Sequence, residues 1–112
     1  MAAEPEAYKK IMILYNVTIS VDSAIEEEWI SWMKDVHIPE VLNTGLFTEH
    51  KILKLLEPEP EEGASTYAIQ YYLKSEADYK NYNNNFAADL QKKHMDKYKD
   101  RFMAFRTVLE VV

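Results

Sequence analysis

Between residues 11 and 21 the chain alternates strictly. Ile11, Ile13, Tyr15, Val17, Ile19 and Val21 form one set, and Met12, Leu14, Asn16, Thr18 and Ser20 form the other. Successive side chains of a strand point to opposite faces, so this pattern defines a strand with one wholly apolar face and one face that turns polar. Such a strand needs partners in a sheet and something to cover its apolar face. The same period returns in STYAIQYYL, residues 65 to 73, where Tyr67, Ile69, Tyr71 and Leu73 alternate with Thr66, Ala68, Gln70 and Tyr72. LFTEHKILKLLE, residues 46 to 57, reads as a less regular strand, and FMAFRTVLEVV, residues 102 to 112, as a fourth.

Between these strands the period changes. Ser23 and Glu26 have capping-box spacing, and Glu26, Glu27 and Glu28 lie in the first turn, where a helix dipole favours acidic groups. Ile25, Trp29, Trp32, Met33 and Val36 then follow one helical face. Pro39 disfavours helical geometry at Ile38, so this helix is expected to stop or kink near His37, with PEVLN restarting as a short turn before Gly45. EPEPEEG, residues 57 to 63, reads as a solvated hairpin loop. Ser75 and Asp78 open a second helix, along which Tyr79, Tyr82, Phe86, Leu90 and His94 recur at helical intervals through LQKKHMDKYKDR. Asn83, Asn84 and Asn85 lower its intrinsic propensity, so packing must hold that turn.

The order is therefore βαββαβ: an α+β, ferredoxin-like sandwich with two helices on one face of a four-stranded antiparallel sheet. Its 112 residues suit one domain over residues 11 to 112, with residues 1 to 10 as a flexible leader. The other sheet face would leave Leu14, Tyr72 and their neighbours as an exposed apolar patch. Pairing with a second copy is the economical cover, and a homodimer is expected.

A formal net charge of −6 opposes nucleic-acid or anionic-membrane partners, since no basic cluster is present to replace phosphate counterions. The chain has no cysteine, which removes disulfides, thiolate metal sites and cysteine nucleophiles and is compatible with the cytoplasm. No apolar run reaches the ~20 residues of a membrane helix. Glycine occurs only at positions 45 and 63, so there is no phosphate-cradling loop, and no metal-ligand motif appears. No cofactor is expected.

YNVTISVD, EEEWISWMKDVHIPEVLNTGLFT, STYAIQYYLKS and RFMAFRTVLEVV together resemble a family of small bacterial proteins known only as a domain of unknown function. The resemblance runs from about Ile13 to the C-terminus, and W-x-x-W-M-K-x-x-H-I-P is its most specific part. By fold this family is similar to the dimeric α+β barrels, in which two ferredoxin-like sheets face one another. That superfamily includes cofactorless monooxygenases, lactone isomerases and haem-degrading enzymes, and also members with no demonstrated chemistry. In the haem-degrading group an asparagine on the first strand and a histidine on the second helix matter, and Asn16 and His94 hold similar places. Those enzymes also need a tryptophan on the sheet, whereas Trp29 and Trp32 lie on the first helix.

Three histidines bear on function. His37 is the candidate proton carrier, because a neutral imidazole titrates near neutrality; the structural account is a helix-terminal residue interacting with free carbonyls. His94 points toward the sheet from the second helix, and His50 reads as exposed. A polar set of Asn16, Thr18, Ser20, Gln70, Tyr72, Arg106 and Glu110 is expected to share the face away from the helices. There Asn16, Gln70, Tyr72 and Arg106 would orient a carboxylate or carbonyl of a ligand, or pair with one another and fix dimer register. Two functions follow: a homodimer for binding or assembly, or a cofactor-independent enzyme, monooxygenase- or isomerase-like, acting on a small aromatic or carbonyl metabolite. The enzyme needs a cavity of a few hundred Å³ reached by a histidine and two of the polar groups.

Overall fold

A computed structural model describes residues 12–112. Ile11 and the leader expected over residues 1 to 10 lie outside the described residues. The sheet consists of β1 (Met12–Asp22), β2 (Phe47–Lys54), β3 (Ala64–Leu73) and β4 (Phe102–Val111), antiparallel throughout in the order β2-β3-β1-β4. The two most strictly alternating segments, β1 and β3, are the central neighbours. Their odd-numbered side chains, from Ile13 to Val21 and from Ser65 to Leu73, are all buried beneath the helices. The less regular β2 and β4 are the edges, where little packing demand acts on sequence.

The first helical region departs from expectation at both ends. Asp22, rather than Ser23, caps the chain: its Oδ1 accepts from the Ala24 amide at 2.9 Å, opening a short 3₁₀ turn over Ser23–Ile25. Glu26 does not fold back as a capping-box partner. Its carboxylate accepts from the Ser65 hydroxyl at 2.8 Å and the Tyr67 hydroxyl at 2.5 Å, and pairs with Lys54 Nζ at 2.9 Å. Three donors, one of them charged, outcompete a single backbone amide.

Pro39 does not end the helix. Helix α1 (Glu26–Trp32) runs without interruption through a π-helical turn at Met33–His37 into α2 (Ile38–Leu42), and the Ile38 amide bonds to the Met33 carbonyl five residues back. In an unbroken α-helix the Pro39 ring would press on the carbonyl of Asp35. The wider turn immediately before Pro39 relieves that contact. The additional residue also re-phases the rod by about 100°. Val36, which a straight helix would bury with Trp29 and Met33, is 41% exposed, while Ile38 and Val41 fall to 2% and 1%.

The second helical region is likewise interrupted. Ser75 caps α3 (Glu76–Asn85) as expected, accepting from the Asp78 amide at 3.1 Å. The helix then breaks at Phe86 (φ −127°, ψ −36°) before α4 (Ala87–Tyr98). The asparagine run supplies the cause, since Asn85 Nδ2 donates to the Asn81 carbonyl and side chain and competes with the helical ladder. Beyond the break, Ala87, Leu90, His94 and Tyr98 are buried against the sheet.

Candidate functional site

The residues singled out in the sequence divide between the two faces of the sheet. Asn16, Gln70 and Tyr72 lie on the face away from the helices. His37 and His94 lie beneath the helices. Arg106, expected with the first group, belongs to the second: it pairs with Val17, whose side chain is buried under the helices, while Thr107 stands opposite Asn16. Glu110 pairs with Ile13 and is displaced to the same face. The parity of β4 was illegible because FMAF and VL place apolar residues on both faces.

Arg106, His37 and His94 converge on one small pocket between helices and sheet, bordered also by Tyr15, Tyr82 and Gln91. The re-phased π turn brings His37 here, since residues 33, 37 and 41 all line the pocket. The two imidazole centroids are 5.6 Å apart, and Trp32 stacks on His37 at 5.1 Å with its plane tilted by 24°. The space left inside is about 30 Å³, room for one or two water molecules. Aromatic rings fill the rest: Tyr15, Phe47, Tyr71 and Tyr82 pack with centroids 4.9 to 6.5 Å apart.

Both histidines are held neutral. Burial lowers the His37 pKa to about 4; the nearby Glu40 carboxylate opposes this, and the Arg106 and Lys93 cations add to it. Burial also lowers His94 to about 4, helped by His37 and Arg106. Hydrogen bonding fixes the tautomer of His94. The Trp29 indole N–H donates to His94 Nε2 at 2.9 Å, so Nε2 is bare and an imidazolium would set two donors against each other. His37 Nδ1 is buried without a hydrogen-bond partner among the described residues. Glu40 is itself engaged by Lys93 at 2.6 Å. Trp29, Tyr15 and Gln91 complete this arrangement and were not foreseen as site residues. The signal for Trp29 was available, since a buried indole requires an acceptor and His94 shares its helical phase with the apolar column.

These contacts correct one expectation and close off one comparison. His37 is no helix terminus, because the rod continues to Leu42. Asn16 and His94 cannot serve one ligand in the haem-degrading manner, because the sheet separates them and Trp29 occupies His94 Nε2. His50 is exposed, as its charged neighbours suggested. Among the described residues no three His, Asp or Glu side chains gather where they could hold a metal ion.

The opposite face is organised in rows across the strands. Lys51, Gln70, Asn16 and Thr107 make a polar row, in which Gln70 Nε2 donates to Asn16 Oδ1 at 3.3 Å and Asn16 Nδ2 donates to Thr18 Oγ1 at 3.1 Å. On one side runs Leu53, Ala68, Thr18 and Phe105; on the other, Glu49, Tyr72, Leu14 and Leu109. Phe105 is 62% exposed and Met103 78%. The amides therefore satisfy one another, and Arg106 does not join them.

The chain belongs to the family described as Domain of unknown function (DUF4286), whose model matches residues 12–112. Among curated proteins none matches it. Solved structures share its fold. A dimeric ferredoxin-like protein from an uncultured marine organism aligns with a TM-score of 0.66 at 11% identity, covering 93% of this chain and 97% of the other. An ethyl tert-butyl ether d family protein from Bacillus halodurans gives 0.66 at 9% identity, covering 89% and 99%. The hydroxynitrile lyase of Passiflora edulis gives 0.58 at 16% identity, covering 87% and 93%. The fold is thus a ferredoxin-like α+β sandwich whose structural relatives include proteins described as dimeric.

Proposed function

We propose that this chain acts as a homodimer, formed through the sheet face away from the helices, with a role in binding or assembly rather than turnover of a metabolite. The observation that carries the reading is the bare apolar surface of that face: Leu53, Met103, Phe105, Leu109 and Val111 are each between 45% and 78% exposed. Their alignment in rows beside a self-satisfied amide row suits a second sheet laid over them, with the polar row setting its register. Similarity to proteins described as dimeric supports self-association. The pocket beneath the helices, with about 30 Å³ of space, supports binding of something small and argues against an aromatic substrate.

One observation favours a second reading, a cofactor-independent enzyme. Two unprotonated imidazoles stand beside an arginine, and His37 Nδ1 is unengaged among the described residues. A base of this kind could take a proton from a small carbonyl compound. Light scattering of the purified protein, together with native mass spectrometry, tests the preferred reading. A dimer mass is expected, and a monomer at high concentration would overturn it. Recovery of a bound aromatic metabolite would favour the enzyme.

A further inference from the structure

Six cations among the described residues have no ion pair, namely Lys34, Lys51, Lys74, Lys97, Lys99 and Arg106, and of these only Arg106 lines the pocket. Five ion pairs among the described residues engage Lys54, Lys80, Lys92, Lys93 and Arg101, and none engages Arg106. Arg106 nevertheless faces the pocket across β4, and its guanidinium, like the Gln91 amide, approaches the Tyr15 hydroxyl. No carboxylate lines the space. The nearest one to influence it, Glu40, is already paired with Lys93. The helical wall contributes His37, whose Nδ1 is buried without a partner among the described residues. In a chain of net charge −6, this is a small, partly open pocket with an exposed arginine at its mouth and the Gln91 amide, the Tyr15 hydroxyl and two imidazoles set into an otherwise apolar lining.

We propose that the pocket is a binding site for a small carboxylate of three or four non-hydrogen atoms, such as formate or acetate, held by Arg106, Gln91, Tyr15 and His37. The planar guanidinium fork matches a carboxylate, and the amide and phenol donate to its remaining lone pairs. His37 Nδ1 contributes in the tautomer that places its proton there. Size sets the upper limit. The interior of about 30 Å³ accepts a ligand little larger than two waters, and the packed rings of Tyr15, Tyr71 and Tyr82 leave no place for an aromatic acid. Arg106 is itself exposed, so the site has an entrance at the uncovered half of β4, where Val108 is also 42% exposed. So few atoms limit the affinity to roughly the millimolar range. This inference deepens the binding reading above and rests on it.

Trp32, stacked on His37, and Trp29, bonded to His94, make intrinsic fluorescence a reporter of the pocket. Formate, acetate and benzoate are titrated into the full-length protein at fixed ionic strength, with light scattering on the same samples. A saturable change is expected with formate and acetate and none with benzoate. Arg106→Gln is expected to weaken the response at least tenfold, whereas Arg106→Lys retains the charge and loses only a few-fold. Circular dichroism on both variants establishes that they fold. The site is overturned if wild-type protein shows no saturable response, if Arg106→Gln binds unchanged, or if benzoate binds as tightly as formate. A dimer without formate binding would sink the anion site alone, and a monomer that binds formate would sink the assembly reading alone.

Discussion

The two faces of this sheet solve opposite problems with the same alternation. Beneath the helices, β1 and β3 present Ile13, Tyr15, Val17, Ile19, Val21, Tyr67, Ile69, Tyr71 and Leu73, all of them buried. Several polar atoms on that side have partners there, as Trp29 with His94 and Ser65 and Tyr67 with Glu26, while two fully buried ones, His37 Nδ1 and the Tyr98 hydroxyl, have none among the described residues. On the other face the polar groups satisfy one another laterally while apolar side chains stand in water. A covered face isolates its polar groups and perturbs their chemistry. An uncovered one keeps them ordinary and leaves the hydrophobic effect unspent.

The largest effect that should separate the faces comes from Phe105→Glu. Burying a phenylalanine from each subunit contributes about 1.5–3 kcal/mol per copy, so a charge there should weaken self-association by at least about 100-fold. Monomer melting should be nearly unchanged, as sedimentation and thermal scans would show. If the variant instead unfolds, the two faces are less independent than the structure implies.

Next in size is an acid-sensitive loss of stability arising under the helices. An unfolded histidine titrates near its ordinary value of about 6.5, while His94 in the fold titrates at about 4. The unfolded chain therefore takes up the proton first as pH falls, and stability is complete above about 6.5 and declines toward 4. The contribution is on the order of 3 kcal/mol. His94→Gln keeps an acceptor for Trp29 but cannot be protonated, so urea unfolding between those pH values should show a flatter profile.

Glu26→Gln should have the smallest effect of the three. Its carboxylate pKa is lowered to about 2 by hydrogen bonds from Tyr67, Lys54 and Ser65, so its stabilisation is present above the ordinary carboxylate value and fades as pH falls toward 2. Replacing charge-assisted bonds by neutral ones at neutral pH should cost roughly 1–2 kcal/mol in denaturant titrations. The acid dependence below about pH 4.5 should weaken with it.

Much of this architecture was legible in the sequence. Strict alternation in β1 and β3 identified both strands and their buried set, because one face of each is under packing pressure along its whole length, and the βαββαβ order made the sheet antiparallel. Leu90 and His94 continued the helical column of Tyr82, and His94 is buried as that column required. The helix from Ser23 was legible in its apolar stripe but not in its phase. A π turn adds a residue without any composition of its own, so Val36 was assigned to the core and Ile38 was not. For the same reason His37 was read as an end. The mixing of Asn16 and Gln70 with Arg106 had another cause: an edge strand with apolar residues on both sides carries no parity, and only its register against Val17 resolves it.

The turn at Met33–His37 has a bearing on how this chain tolerates changes in length. Losing one residue there would shorten the rod by little more than an ångström, yet it would swing everything beyond it through more than a quarter-circle. Ile38 and Val41 would face water, the proline would meet the carbonyl it now avoids, and the imidazole would leave its enclosure. That single surplus residue works as a vernier between the two halves of the helix, so the spacing from Trp29 to Val41 holds together as a unit and not as independent positions.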